Sequence, residues 1–586
     1  MTHKVIAIAI FSLIPLSFVA QKNKTKETVP TGTEFDYTLS KPYDVVDART
    51  KNYFSQNGMV LTVKFQGKKC VLQKFDGTDQ LNQITKQEFT DFEDGFVEED
   101  IVQMAEHFYV FYSVWDRGNN KEQLFAREID FEDCAFVGKG QKIIEVNGKV
   151  VGGFGAGVAV ESYYNGFGAL TFGNIGKKFK LKVSHDKSMV LISYKEVPEK
   201  KIDQINYDEI GLCVFNNILE EVSRQTVKMP VVESKLKIMD YAIDKIGNTY
   251  ILAEIYHKGS KKKRFSYFSG KPKFDLELIK IADGKIEETR ERLQVADGVI
   301  NDSKFFIGPD NNLFIAGYYA DKAWKMDKKA TGMFYCRVES GSATKMVKSE
   351  IPLAVKNLYI KKRFQNRNTR KSKRGKPVNL YNLKPKELIF EKDNSVVLVG
   401  QVEYYIVQKS SGTGSMGGVG SIGGAGAMGS TIGMGGMGYN ESSKTYYSKN
   451  IVVGKMESSG KLAWMTQIPK YQTGGEAVGG MGFKYISGND GIYFLFLDNK
   501  KNSKLKENMV PYKHYDRMGG YLTAYKIDRL KGDLTRYSLF DVRKAKGVSL
   551  HQFATSRMIE IAPSQFALEC YKKDKEDVMI QITIKE

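Results

Sequence analysis

Residues 305–349 read FFIGPDNNLFIAGYYADKAWKMDKKATGMFYCRVESGSATKMVKS, and this stretch decides the fold. Gly308, Pro309, Asp310 and Asn311 are residues that favour or tolerate turn backbone angles. Leu313 to Tyr319 is a continuous apolar run, short enough for a strand buried on both faces. A polar loop separates it from a second strand, Met333 to Val338. Glu339 to Ser342 turns the chain again, so that Ala343 to Val347 can return as a third, outer strand. One such sheet cannot bury its own faces. Several copies packed against one another can.

The same order recurs along the chain. Asp186 precedes Met189 to Tyr194, Asp244 precedes Thr249 to Tyr256, and Asp393 precedes Val396 to Val402. Asp490 precedes Ile492 to Leu497, and Ser564 precedes Phe566 to Tyr571. Partner strands follow at Gly211 to Phe215, Leu276 to Ile281, Asn450 to Met456, Tyr521 to Ile527 and Val578 to Ile584. The recurring aspartates are read as acceptors for backbone N–H groups in turns. Two earlier hairpins, around Gly67 and around Asp116 to Asn120, bring the count to about eight units. The anchors Asp186, Asp244, Asp310, Asp393, Asp490 and Ser564 lie 58, 66, 83, 97 and 74 residues apart. A bare propeller blade takes about 40–50 residues, so the surplus is insertion.

The pattern resembles the WD40-like β-propeller repeats of exported bacterial proteins, in which a Pro-Asp turn precedes the inner strand. Gly308-Pro309-Asp310-Asn311 is the best match, and the resemblance covers roughly Met104 to Glu586. It implies an all-β propeller of seven or eight blades over residues 34–586, with two stacked β domains as the alternative. Because the last copy ends at Ile584, an N-terminal strand such as Phe35 to Leu39 is expected to close the ring.

Composition fits this reading. There are 32 Tyr and 34 Phe against 13 Pro, which favours strands. Residues 1–20 read as an export signal, with Lys4 ahead of the apolar run Val5 to Val19, although Phe18 is bulky where a small residue is usual near a cleavage site. Residues 21–33 read as a polar, mobile lead-in. The five cysteines, Cys70, Cys134, Cys213, Cys336 and Cys570, are far apart and read as buried free thiols.

The net charge is +20, and sixteen basic residues fall in two acid-free stretches, 258–273 and 361–376, each within an insert. The first insert, 258–273, holds Lys261, Lys262, Lys263 and Arg264 beside Phe265, Tyr267 and Phe268. The second insert, 361–386, holds Lys361, Lys362, Arg363, Arg370, Lys373 and Arg374. A third insert, 410–439, is uncharged and Gly-rich, with Met416, Met428, Met434 and Met437. Glycine frees its backbone, and methionine makes soft, adaptable apolar contacts. These fourteen residues are the candidate partner-binding set.

Motifs for chemistry are weak. GGFGAG, from Gly152, has no clear helix after it, so no nucleotide site is read there. No close His or Cys pair suggests a metal, and no cofactor is expected. The sequence therefore points to an exported, non-catalytic binding or scaffold subunit of a bacterial envelope assembly. Its partner would be an outer-membrane protein, in the most specific form a translocon that it accompanies in the periplasm as a plug. An anionic lipid or polysaccharide surface is a further candidate, and nucleic acid is not expected. The alternative is a carbohydrate-binding protein or hydrolase working at the propeller mouth, with Tyr163/Tyr164 and Tyr318/Tyr319 stacking on sugar rings.

Overall fold

The computed structural model describes residues 26–30, 34–152, 177–197, 206–257, 273–408 and 443–585. Within these spans, 49, 79, 283–284, 296–297, 309–311, 322–328, 340–341, 345, 377, 476–479 and 489 are excepted. Eight antiparallel sheets succeed one another along the chain. Their leading strands are Thr50–Gln56, Val97–Met104, Phe179–Val183, Leu236–Ile243, Val299–Ile307, Leu383–Phe390, Lys484–Ser487 and Met558–Ala562. In each sheet the strands are added in chain order from the leading strand outwards, except that N-terminal strands are added at the outer edges of the seventh and eighth sheets.

The apolar side chains form eight separate clusters, each shared by two consecutive sheets, and the last couples the eighth sheet to the first. Cyclic order with one core per interface makes the chain an eight-bladed β-propeller. Leading strands touch around the axis between blades two and three, three and four, four and five, five and six, and eight and one.

Closure follows the expectation. Phe35–Leu39 pairs antiparallel with Glu576–Ile584, Phe35 opposite Ile584 and Leu39 opposite Ile580, as the outermost strand of blade eight. Lys26–Pro30 pairs in parallel with Leu534–Asp541 on blade seven. Part of the lead-in expected to be mobile is thus a strand. An outer edge presents unpaired backbone groups, and this segment covers one.

The apolar runs read from the sequence are second strands, not inner ones. Met189–Lys195, Thr249–Tyr256, Leu313–Ala320 and Ile492–Asp498 each follow a leading strand across a short turn. They are buried on both faces because a neighbouring blade lies on each side. The leading strands carry polar groups towards the axis and so lack that signature. In blade five the third expected return strand is split into Ser342–Ala343 and Val347–Glu350, both against Gly332–Glu339.

Asp186, Asp244 and Asp393 act as read, whereas Asp490 accepts from the Tyr493 hydroxyl at 2.8 Å and pairs with Lys526. Asp244 Oδ1 accepts from Ile246 N–H at 3.0 Å and Asn248 N–H at 2.9 Å, and Asp393 Oδ1 accepts from Ser395 N–H at 3.0 Å. Asp310 lies outside the described residues. The five thiols are free and buried. Among the described residues no helix is long and apolar enough to cross a membrane.

Candidate functional site

Antiparallel strands send successive connections to opposite rims. Turns from first to second and from third to fourth strand share one rim, and none exceeds seven residues. The other rim receives the links from second to third strand and from blade to blade. All the long connections fall there: 148–178, 257–273, 351–382, 409–442, 499–520 and 542–557. The three inserts singled out by composition therefore leave the propeller on one face, from blades four, five and six.

The second insert differs from the expected loop. Lys362–Lys373 is a three-turn helix, preceded by the short helix Leu353–Lys356, and residues from Leu383 onwards already belong to the leading strand of blade six. The long helix rests on the protein through Gln365 and Asn368, spaced by three. The Gln365 side-chain amide donates to the Asn357 and Ile360 carbonyls at 3.1 Å each, and the Asn368 amide donates to Asn357 Oδ1 at 2.9 Å. Lys361, Lys362, Arg363, Arg370, Lys373 and Arg374 remain exposed. No described carboxylate pairs with them. A helix with this composition is not held by an apolar face, so its side-chain amides anchor it. Lys261, Lys262, Lys263, Arg264, Met416, Met428, Met434 and Met437 lie outside the described residues.

The flanks of 409–442 are part of an arm. Val396–Gln408, Ser443–Met456 and Leu462–Gly474 are 13 or 14 residues long, against 7 for Ile492–Asp498 in the next blade. The arm gains a further strand when His514–Tyr515, from blade seven, pairs in parallel with Gln472 and Thr473. Side chains alternate across such a sheet. One face is dry and polar, with Glu403, Ser448, Lys470, Gln472 and His514 all buried. There Lys470 donates to Ser448 Oγ at 2.7 Å, and burial pushes His514 down to about 4.

The other face carries Tyr404, Tyr447, Tyr471 and Tyr515. Tyr404 and Tyr447 stack with centroids 4.8 Å apart. Lys449 lies 4.4 Å from the Tyr471 centroid and 5.3 Å from that of Tyr404, and Lys513 lies 5.2 Å from that of Tyr515. Sequence reading missed this platform. Its signal was the Tyr-Tyr pairs 404/405 and 446/447 bracketing the glycine-rich segment.

The axis was missed as well. Five of the eight leading strands carry a register shift, at Glu98/Asp100, Ile238/Asp240, Ile300/Asp302, Pro385/Glu387 and Glu560/Ala562. A bulge re-aims the side chains beside it. Acids and lysines then alternate from blade to blade. Lys182 pairs with Asp240 at 2.8 Å, Lys304 lies between Asp240 and Glu387, and Lys484 lies between Glu387 and Glu560. Burial pushes Asp100 up to about 7, and burial pulls Lys484 down to about 7 against the attraction of Glu560 and Glu387. From Lys182 to Glu560 each carboxylate thus neighbours a lysine.

Tyr318 and Tyr319 do not serve as a sugar platform. Both are buried in blade five, Tyr318 with its hydroxyl against Gly400 of blade six. Tyr163 and Tyr164 lie outside the described residues. No group of three or more metal-ligating side chains occurs among the described residues.

Fold and face together define the class: an eight-bladed β-propeller with its elaborations on one rim. No family model matches the chain, and comparison with curated proteins gives no match. Among solved structures it is similar to prolyl oligopeptidase B from Galerina marginata, at 6% identity and a TM-score of 0.33, over 94% of this chain and 55% of that one. It is similar to an apocarotenoid oxygenase from Synechocystis at 7% identity and a TM-score of 0.29, over 72% and 71%. A protein of unknown function from Bacteroides caccae matches at 10% identity and a TM-score of 0.25, over 70% and 94%. Likenesses this slight carry no argument about activity.

Proposed function

We propose that this chain is an exported, non-catalytic binding subunit of a bacterial cell-envelope assembly, and that it works through its elaborated rim. One observation supports the reading most: every long connection leaves the propeller on the same face, while the opposite face keeps short turns. Loops on a rigid scaffold are where binding residues collect. In the specific form of the proposal, the partner is an outer-membrane protein translocon, and the uncharged segment 410–439, which the arm of blade six flanks, occupies a pore or groove of that partner. Cross-linking and pull-down from native envelopes, read by mass spectrometry, test it. Deleting Gly412 to Gly438 weakens co-purification with an outer-membrane partner, and unchanged recovery counts against it.

A second reading, carbohydrate binding, has one observation in its favour. The half-exposed tyrosines of the blade-six arm form a flat aromatic row with lysines beside it. A glycan array separates the two: selective retention of one glycan class supports the second reading.

A further inference from the structure

Eighteen large apolar side chains are exposed among the described residues, and nine of them fall between Phe364 and Met518. That sector is the 351–382 connection with its helix Lys362–Lys373, the blade-six arm and the 499–520 connection, all on the elaborated rim. Tyr405, Ile406 and Val407 are 42–56% exposed in consecutive positions near the end of the arm. Consecutive strand residues point to opposite faces, so this exposure means that both faces of the arm meet solvent there. Met509, Tyr512 and Met518 are 53–62% exposed beside it. The arm and this connection are at one level, since Tyr405 is opposite Tyr446, Tyr446 is opposite Gly474, and Thr473 is opposite Tyr515.

On the same rim stands the helix Lys362–Lys373, in a stretch with nine basic residues between Lys361 and Lys376 and no acid. The short helix before it touches the arm through the Val355 carbonyl, which accepts from the Gln467 side-chain amide at 2.5 Å.

We infer that this sector docks on an anionic lipid bilayer. The inference rests on the reading of the elaborated rim as the working face, and it names a second surface for that face. Tyrosine and lysine suit the headgroup level, the ring or stem buried and the polar end wet. The helix supplies the attraction to negative headgroups. Ile406, Val407, Met509 and Met518 decide between lipid and acidic polysaccharide. A hydrated polymer gives aliphatic side chains nothing to enter, whereas an acyl boundary does.

The test is vesicle co-sedimentation with the full chain, wild type and variants side by side, so that any contribution of the apolar residues 5–19 is common to all. Vesicles of phosphatidylcholine with phosphatidylglycerol are compared with phosphatidylcholine alone, at low salt and at about 1 M salt. The wild type partitions onto the anionic vesicles and is partly released by salt. Arg367→Gln with Arg370→Gln lowers partitioning about tenfold or more. Ile406→Ser with Val407→Ser lowers it as well, and leaves a salt-resistant fraction smaller than that of the wild type. These positions are exposed, and circular dichroism of each variant matches the wild type.

Equal binding to neutral vesicles overturns the inference. So does an unchanged partition for the Ile406/Val407 pair, which would reduce the effect to adsorption of a basic protein on any anion. Retention on polygalacturonate with no vesicle binding overturns it in favour of polysaccharide. If vesicles bind as expected while deletion of Gly412 to Gly438 leaves partner recovery unchanged, the assembly reading fails and this one stands.

Discussion

Replacing Glu569 by Gln tests how the ring is held shut. Among the described residues, the seam between blades eight and one has the smallest apolar cluster of the eight, with seven buried residues. A buried ionic group sits beside it. Glu569, on the second strand of blade eight, receives Lys64 from the second strand of blade one and Lys51 from its leading strand at 3.3 Å. It also accepts from Tyr43 at 2.8 Å and Tyr53 at 2.6 Å, and Lys51 reaches Asp577 at 3.2 Å. Lys64, Glu569 and Asp577 are wholly removed from water.

Glutamine keeps the shape and removes the charge, leaving Lys51 and Lys64 with Asp577 alone. Breaking a buried pair on one side costs about 3–5 kcal/mol. Because Asp577 partly compensates, the expectation is about 3 kcal/mol. That energy is local, and a long repeat chain need not unfold in one step, so a single melting temperature is the wrong readout. Hydrogen exchange resolved by peptide is the right one. Amides of Phe35–Leu39 and Glu576–Ile584 exchange roughly 100-fold faster in the variant, since 1.4 kcal/mol is about a factor of ten. Blades three to five are unaffected. Replacing the pair together, Lys64→Met with Glu569→Leu, restores most of the protection, because two apolar groups leave no unpaired charge.

The same cluster has a pH signature. Burial opposes ionisation of Glu569, but Lys64, Lys51 and Arg557 outweigh it and hold the carboxyl well below its usual range. A depressed carboxylate contributes above its unfolded pKa, about 4.3, and the contribution is lost as pH falls through the folded value. Seam protection therefore weakens below about pH 4 in the wild type. A change in exchange under threefold for Glu569→Gln, or one spread evenly over all blades, refutes the latch.

Other expectations follow from the same geometry. Burial raises Asp100 to about 7, so its ionisation costs stability as pH rises from about 4 towards 7; Asp100→Asn stabilises by about 1–3 kcal/mol in denaturant at pH 8 and has little effect at pH 4. Gly317 faces the Asp302 carbonyl and the Ser303 backbone so closely that a Cβ cannot fit without backbone movement; Gly317→Ala costs about 1–3 kcal/mol and speeds exchange in blade five. Burial pushes Cys134, Cys213, Cys336 and Cys570 up to about 12, so a thiol reagent leaves them unmodified in the folded protein and titrates them after unfolding in guanidinium.

Local chemistry was enough for much of the architecture. The second and third strands are legible because a strand packed between two blades must be apolar on both faces, as in Leu313–Ala320. The turns are legible because Asp244 and Asp393 satisfy backbone N–H groups within four residues of themselves. The unit count follows from the repetition of those two features, and closure by Phe35–Leu39 from the missing strand at Ile584.

What escaped the sequence depends on neighbours distant along the chain. Leading strands carry Asp100, Asp240 or Glu387 beside a bulge, which breaks the two-residue alternation by which a strand is recognised. Missing one strand per unit also hides which rim a connection reaches, because each strand crossed changes rim. The alternating charges of the axis and the bond from Lys64 to Glu569, 505 residues away in the chain, come into being only when consecutive blades are set side by side and the last meets the first. Strand identity is a property of a few adjacent residues, whereas the working face, the axis and the seam are properties of the ring.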